Sequence, residues 1–311
     1  MIKKIILKVW FRLVKQYYCI GFVNSTDINL PNAERHNKTK WLHTHNYKDG
    51  WFADPFLLRN NGLELEILAE EFVYKLNRGI ISLLKVKKIK SEYVLVSSTP
   101  ILELSTHLSF PNYIEENGKI YVYPENYESG SLFIYEYDNI KKKLINPKKL
   151  VAAPLVDSAI VKHEGFYYLF GTINDGSGLD TTKKVEVYKA ETLLGEYKHI
   201  QTISNEKREE RGAGAIFKDK HDNIIRPVQC CNKSYGESLK LKQLIFSDKI
   251  SEIEVLHLLP DKSQPYSLCL HTFNKLNDII TIDGEEYLYP IWGRKICPFI
   301  YRIIKLIKRN A

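Results

Sequence analysis

A chain of 311 residues with 44% hydrophobic and 26% charged residues is long enough to bury a full core, and its composition is that of a globular protein. The net charge of +8 comes from the two ends, since residues 1–20 and 288–311 contain Lys and Arg but no Asp or Glu. This distribution leaves a mildly acidic body, so it argues against a nucleic-acid-binding surface and favours contact between the ends and an anionic membrane surface.

The first predicted element is a basic amphipathic segment over residues 1–25. Apolar residues repeat at helical spacing beside a basic face, at Ile2, Ile5, Ile6, Val9 and Leu13. Interspersed basic residues interrupt the apolar run, so it matches neither a signal peptide nor a membrane-spanning helix. We therefore expect a cytoplasmic protein. The stripe either packs on the protein's own body or lies in the membrane interface, with Tyr17 and Tyr18 at headgroup level.

The body, residues 40–288, consists of short aromatic and β-branched runs separated by turn residues, which predicts strands. One hairpin pattern recurs five times, and aligned positions stand 56, 47, 56 and 58 residues apart, at Pro55, Pro111, Ser158, Gly214 and Thr272. The period is that of a four-stranded blade, so we predict an all-β fold, a five-bladed β-propeller. A β-sandwich would not repeat one hairpin five times, and a Rossmann-type fold needs long helices between its strands.

The last predicted element is a second basic amphipathic helix over residues 289–311. Its apolar positions again follow helical spacing, at Ile296, Phe299, Ile300, Ile303, Ile304 and Ile307. Trp292, like Trp10 near the other end, is a candidate interface anchor. The propeller would therefore have basic helices at both termini.

Candidate catalytic residues follow from the repeat. The innermost strands of a propeller surround its axis, so side chains at matching places in different repeats converge although they are about fifty positions apart. We assign Asp54, Glu125 and Asp157 as catalytic, because carboxylates facing one pocket suit acid and base catalysis on an acetal. Two of them also have a structural explanation: Asp54 precedes Pro55 and Asp157 stands where a turn or cap residue would.

Candidate substrate-binding residues come from the same positions and from the fourth repeat. The second strand of the first repeat ends in Glu70 and Glu71, and we assign Glu71 to the site. The arginine in the apolar run IIRPV either forms a structural ion pair or binds an anionic group such as phosphate. The full substrate-binding assignment is Glu71, Arg211, Arg226, Gln229 and His271.

The sequence gives little support for a metal or redox centre. His43 and His45 form an HxH pair without further ligands at a recognisable spacing, and His271 has the alternatives of an ion, a water or an ordinary hydrogen bond. The five cysteines lack a CxxC pair, so we interpret them as reduced thiols. We assign no metal and no certain cofactor, with a nucleotide-sugar donor as the candidate cosubstrate.

Five motifs carry a family resemblance: WFADPFLL, HLSFPNYIEENGKIYVYPE, LVDSAIVKHEGFYYLFGT, RGAGAIFKDKHDNIIRPVQCCNKSYG and LHTFN. In this order they resemble the N-terminal domain of plant glucosamine inositolphosphorylceramide transferase and its stand-alone bacterial relatives. The likeness runs from about Trp51 to Asp283. More distantly, the chain is similar to the five-bladed propellers of family 43 and family 32 glycoside hydrolases. That resemblance implies Asp54 as base or nucleophile and Asp157 as the residue that orients.

The sequence departs from the hydrolase pattern in the order of its acids. The acid Glu of family 43 follows the orienting Asp, whereas Glu125 precedes Asp157, so hydrolase chemistry does not transfer directly. In the plant protein the domain also accompanies a separate transferase domain. We therefore expect a glycosyltransferase in the assembly of surface polysaccharide or glycolipid, peripheral on the inner face of the membrane and acting on a glycan or lipid-linked saccharide. The alternatives are a glycosidase-like enzyme and a non-catalytic glycan-binding propeller.

Overall fold

The computed structural model describes residues 15–25, 38–45, 47–174 and 182–296. Twenty strands account for most of these residues. In chain order they are β1 Gln16–Asn24, β2 Lys40–His43, β3 Gly50–Asn60, β4 Glu64–Val73, β5 Arg78–Ile89, β6 Glu92–Leu102, β7 Ser109–Glu116, β8 Lys119–Glu125, β9 Leu132–Asp138, β10 Lys143–Val151, β11 Leu155–His163, β12 Phe166–Ile173, β13 Lys184–Ala190, β14 Lys198–Ser204, β15 Phe217–Lys218, β16 Ile224–Cys230, β17 Ser238–Ile245, β18 Ser251–Leu258, β19 Phe273–Leu276 and β20 Ile279–Tyr287.

Regular helix in this part of the chain amounts to short turns. They include a 3₁₀ turn at Tyr127–Ser129 and a π-helical turn at Trp292–Ile296. No described helix has the length and hydrophobicity required to cross a bilayer. The all-β prediction is confirmed.

Each predicted hairpin is present and begins a run of four strands. Three four-stranded sheets have the orders β10-β9-β8-β7, β11-β12-β13-β14 and β15-β16-β17-β18. An eight-stranded sheet, β19-β20-β1-β2-β6-β5-β4-β3, contains the first and fifth hairpins. Its two halves are antiparallel within themselves, and the strand pairing between them is a short parallel one of β2 with β6.

The first strand of each run contacts the next run, and these contacts close into a ring. The Asn112 side chain donates to the Ser158 carbonyl, and the Asn274 side chain donates to the Pro55 carbonyl, both over 2.9–3.0 Å. The fourth run joins the fifth through a 2.6 Å backbone bond from Phe273 N–H to the Ala213 carbonyl. The last and first runs of the sequence are thereby held together around a common centre.

A bulge recurs where these first strands approach the centre. The strand registers shift at Ala53/Phe56, Ser109/Asn112 and Val156/Ala159. Within each bulge one residue takes a left-handed conformation: Asp54 with φ 48°, Phe110 with φ 44° and Asp157 with φ 47°. A bulge turns a side chain away from the alternation of the strand, so two of the three predicted catalytic residues owe their orientation to it.

The structure corrects the predicted boundary at the N-terminus. Residues 16–24, assigned to a separate amphipathic segment, form strand β1, which pairs along its whole length with β20. Cys19, Ile20 and Phe22 are buried in the core, and Tyr18 packs on Trp51 rather than facing a membrane. The helical stripe at positions 2–13 and most of the one at 296–307 lie outside the described residues, so those predictions remain untested.

Candidate functional site

A cavity of about 650 Å³ opens at the centre of the ring, where the bulged first strands meet the ends of the second strands. It contains all three residues predicted as catalytic together with Arg211 and His271. Its charged and polar lining includes Asp54, Glu70, Arg78, His107, Ser109, Glu125, Glu128, Asp157, Arg211 and His271, and its aromatic lining is Tyr18, Trp51, Phe72, Tyr127 and Tyr235. The repeat thus brought together residues that are more than 200 positions apart.

Asp54 lies in a tight polar cluster at one end of this cavity. Its Oδ2 accepts a hydrogen bond from the Phe110 N–H, and its own N–H donates to Asp283, both at 3.0 Å. The Thr272 hydroxyl lies 2.9 Å from Asp54 Oδ1 and 2.8 Å from Asp283 Oδ2, and its single proton can bond only one at a time. Burial raises the pKa of Asp54 to about 6, against the lowering effect of His271.

His271 is held by Asp283 at the wall of the same cluster. Its Nδ1 lies 2.7 Å from Asp283 Oδ1, and its Nε2 lies 3.5 Å from Asp54 Oδ1. Burial alone would lower the pKa of His271, but the Asp283 carboxylate raises it well above its usual value. Asp283 thus favours the imidazolium form of His271, which in turn stabilises the ionised form of Asp54.

Glu125 and Asp157 form a second cluster, connected by Arg211. The Asp157 N–H donates to Glu125 Oε2 at 3.2 Å, and the Arg211 Nη2 lies 3.6 Å from the same oxygen. The Arg211 Nε donates directly to Asp157 Oδ2. Burial first, and then the neighbouring Asp157 charge, raises the pKa of Glu125 well above its usual value. These surroundings favour the protonated form of Glu125.

The two clusters therefore favour different protonation states for their carboxyl groups. Asp54, with a pKa of about 6, is mostly ionised at pH 7, whereas burial and the Asp157 charge raise the pKa of Glu125 well above its usual value and favour its protonated form. Paired titratable groups whose surroundings separate their pKa values are the usual mark of an acid and a base in catalysis. The arrangement can donate a proton from Glu125 and accept one at Asp54.

The structure places Glu70 in the site, rather than the predicted Glu71. These neighbours on strand β4 point to opposite faces, as strand geometry requires. Glu71 accepts hydrogen bonds from the hydroxyls of Tyr47 and Ser98, at 2.6 and 2.5 Å, away from the cavity. Glu70 lines the cavity and is only 5% exposed, and its Oε1 accepts no hydrogen bond but lies 3.4 Å from His107 Nε2. Glu70 and His107 thus form a polar pair at the wall of the cavity.

Arg226 lies outside the cavity, which removes its substrate-binding assignment. Its side chain is 1% exposed and pairs with Glu210 over 3.1 Å and Glu252 over 2.6 Å. Lys242 completes the network by bonding both glutamates. The apolar run around Arg226 thus contains a structural ion-pair network, the other of the two interpretations that the sequence left open.

Gln229 supports the cavity from behind without lining it. Its Nε2 donates to Asp157 Oδ2 and to the Gly212 carbonyl, each at 2.8 Å. The amide therefore fixes the carboxylate that holds Arg211. Gln229 is a positioning residue for this cluster.

Sequence reasoning missed the aromatic wall of the cavity. Trp51 stacks on Phe72 with ring centroids 4.8 Å apart, and Tyr235 packs against both Arg211 and His271. Two of these residues stood inside quoted motifs, in WFADP and KSYG. Their aromatic character alone did not separate them from core residues, because strands of this protein are rich in aromatics throughout.

Among the described residues, one cluster has potential metal-ligand atoms that lie close together. Ligand atoms of Asp54, His271 and Asp283 all lie within 4.8 Å of one another. They already satisfy each other, since His271 binds Asp283 and Thr272 binds both carboxylates. His271 would also have to lose the proton that Asp283 stabilises, so the hydrogen-bonded cluster competes with a cation.

Comparison with known proteins identifies the family. Residues 38–267 match the family described as glucosamine inositolphosphorylceramide transferase 1, N-terminal. The chain belongs to this family. Glucosamine inositolphosphorylceramide transferase 1 of Arabidopsis thaliana is 33% identical over 161 residues, which cover 50% of this chain and 21% of that protein. The protein of the same name from Oryza sativa subsp. japonica is 26% identical over 147 residues, 46% of this chain and 20% of that one. The chain thus matches about a fifth of the length of these relatives.

Solved structures show the same fold. A thermostable family-43 glycoside hydrolase has a TM-score of 0.53 at 14% identity, with 72% of this chain and 84% of that chain covered. An exo-β-1,3-galactanase from Phanerochaete chrysosporium, solved with galactose, has the same TM-score and identity over 70% of this chain and 55% of that one. The fold is that of the family-43 propellers, as the resemblance implied.

Proposed function

We propose that this protein is a carbohydrate-active enzyme whose chemistry takes place in the central cavity. The observation that carries the proposal is that one cavity contains Asp54, with a pKa of about 6, and Glu125, whose surroundings raise its pKa well above the usual value. Breaking a glycosidic bond requires a proton for the leaving oxygen and a base or nucleophile for the incoming group. The aromatic wall of Trp51, Phe72 and Tyr235 suits the apolar face of a sugar ring.

In this proposal Glu125 is the general acid. Its proton passes to the departing oxygen, and Arg211, 3.6 Å from Glu125 Oε2, stabilises the carboxylate that is left. Asp54 activates the incoming hydroxyl or attacks the anomeric carbon, with its charge stabilised by His271. Asp157 keeps Arg211 and Glu125 in place.

We further propose that the reaction is glycosyl transfer to a glycan or lipid-linked acceptor. The name of the curated relatives favours transfer, and the hydrolase fold by itself favours neither transfer nor hydrolysis. We also interpret the eight-stranded sheet as two blades, because each of its halves is a run of four antiparallel strands. The propeller is then five-bladed. Hydrolysis remains the second choice, because the solved structures of this fold include glycoside hydrolases.

The test is turnover by the purified full chain on a panel of nucleotide sugars and lipid-linked sugars with saccharide acceptors, followed by mass spectrometry. Variants Glu125→Gln and Asp54→Asn remove the acid and the base, and we expect each to lose about 100-fold or more of the rate. Glu115→Gln is the matched control, because it makes the same substitution on the exposed side of β7. The control should keep the wild-type rate.

The pH dependence gives a second readout. The rate should rise with pH through about 6 as Asp54 ionises, and should fall at higher pH as Glu125 loses its proton. If the wild type and all three variants bind saccharide without turnover, the non-catalytic glycan-binding alternative is established instead. Turnover that Glu125→Gln leaves unchanged would reject the assigned acid.

A further inference from the structure

A second pocket of about 370 Å³ adjoins the central cavity. The two share Tyr18 and Trp51, whose rings pack 4.9 Å apart and form the wall between them. The second pocket is built from strands β1 and β3 and the segment between β2 and β3. A ligand long enough to pass this wall can therefore occupy both spaces.

The two spaces differ in charge. The central cavity has both signs, since five carboxyl groups line it, at Asp54, Glu70, Glu125, Glu128 and Asp157, together with the basic side chains of Arg78, His107, Arg211 and His271. Lys15 and Lys48 line the second pocket, and among the described residues no Asp or Glu side chain does. The charged lining of the second pocket is thus basic alone.

Tyrosine hydroxyls shield the carboxylates that lie behind this pocket. The Tyr47 hydroxyl donates to Glu71 at 2.6 Å, and the Tyr18 hydroxyl bonds Glu285. Both tyrosines line the pocket while their hydroxyls bond these carboxylates, so the charged side chains that face the pocket itself are the two lysines. The result is a site suited to an anion.

The remaining lining is aromatic, from Tyr17, Tyr18, Tyr47, Trp51, Phe52, Tyr74 and Tyr266. Lys15 is held in place by one of these rings, because its Nζ lies 3.4 Å from the centroid of Tyr74. Lysines beside flat apolar rings form a surface that can bind a phosphate through charge and a planar or apolar group through the rings.

We infer that this pocket binds the phosphate-bearing part of the substrate, while the sugar occupies the central cavity. The inference rests on the proposed function for the sugar but on its own observations for the phosphate. In the central cavity a phosphate would meet five carboxyl groups as well as basic side chains, whereas beside Lys15 and Lys48 it meets positive charge alone. The phosphate belongs either to a nucleotide diphosphate or to a polyprenyl phosphate.

The test is isothermal titration calorimetry of the full chain with three probes: inorganic pyrophosphate, uridine diphosphate, and a polyprenyl phosphate in detergent micelles. The double variant Lys15→Gln/Lys48→Gln should lose at least about tenfold in affinity for the bound probe, because a charged hydrogen bond to phosphate accounts for that much. The matched control is Lys220→Gln/Lys249→Gln, two exposed lysines elsewhere on the surface. It should bind as the wild type does.

The relative affinities of the three probes identify the molecule that supplies the phosphate. Uridine diphosphate bound more tightly than pyrophosphate supports a nucleotide, and the polyprenyl phosphate bound more tightly supports a lipid carrier. Absence of binding to all three probes overturns the inference, as does equal affinity in the lysine double variant. Binding is read without turnover, so Glu125-dependent catalysis with no phosphate binding would reject this pocket and leave the proposed function standing.

Discussion

At the scale of single residues, the local surroundings give chemically similar side chains different roles. Asp54 and Glu125 are both buried carboxyl groups, but His271 and hydrogen bonds favour the charge on Asp54, whereas Asp157 disfavours it on Glu125. The same holds for the adjacent Glu70 and Glu71, which strand geometry directs to opposite faces. Residue type therefore indicates the candidates, and the neighbours decide what each one does.

Asp54 should make stability depend on pH in a defined direction. Its folded pKa of about 6 lies above the ordinary value of 3.8, so this group stabilises the protein fully below pH 4 and loses that contribution as the pH rises through 6. Asp54→Asn has no charge to bury. We expect the difference in melting temperature, Asp54→Asn minus wild type, to be more positive at pH 8 than at pH 4.

Thermal denaturation of both proteins at pH 4, 6 and 8 measures this difference. Titrating groups remote from Asp54 affect the two proteins alike and cancel in the comparison. A difference between variant and wild type that stays constant over the three pH values would contradict the shifted pKa.

At the scale of elements, the sheet formed by β15–β18 is stabilised by ion pairs as well as by its hydrophobic core. Arg226 on β16 connects Glu210 in the preceding segment with Glu252 on β18, and Lys242 on β17 binds both acids. Since Glu210 precedes Arg211 by one residue, this network also fixes the segment that presents Arg211 to the cavity. A strand with a mostly apolar sequence can therefore bury a cation when several neighbouring elements supply the anionic partners.

Removal of Arg226 should be strongly destabilising, because it leaves two carboxylates buried with one lysine between them. We expect Arg226→Met to lower the free energy of unfolding by about 3–5 kcal/mol. The matched control is Arg59→Met, which breaks the half-exposed pair with Glu66 and should cost about 1 kcal/mol or less. Urea denaturation measures both, and equal losses in the two variants would show that the network contributes no more than a surface pair.

At the scale of the whole molecule, the ring closes through close backbone contacts. Gly214, at an aligned position of the repeat, has φ 154°, and a Cβ there would lie 1.9 Å from the Phe273 carbonyl oxygen. The bond from Phe273 N–H to the Ala213 carbonyl passes beside it. A side chain at position 214 would push the fourth and fifth runs of strands apart.

Gly214→Ala should therefore lower the melting temperature by several degrees or more, since a displaced backbone loses contacts along the whole junction. Gly118→Asn is the control, because Gly118 also has a positive φ, 74°, but faces open space, and Asn tolerates that conformation. Differential scanning calorimetry of both variants measures the effect. A Gly214→Ala protein as stable as the control would show that the junction is not tight.

The two chain ends meet in the same sheet, because β1 near the start pairs with β20 near the finish. The predicted amphipathic segments outside the described residues would then leave the body close together. If they bind membrane, full-length protein should sediment with anionic vesicles at low salt and less at high salt. A protein without residues 1–14 and 297–311 keeps β1 and should stay in the supernatant. Sedimentation of the shortened protein to the same extent would assign binding to the body.

The sequence by itself determined the strands, the five hairpins and the convergence of Asp54, Glu125 and Asp157. Alternating apolar residues, turn residues and a repeat are local signals, and a repeat maps equivalent places onto one centre. It also specified the family, through motifs such as WFADPFLL, and comparison then confirmed that membership.

Only the tertiary structure decided which neighbouring residue faces the cavity and which charges are already paired. The choice of Glu70 over Glu71 depends on a register that a bulge can change by one residue, and Arg226 found its partners on strands distant in sequence. Strand β1 likewise gained its place by pairing with a strand more than 250 residues away. Such pairings depend on the assembled sheets, so no local stretch of sequence contains them.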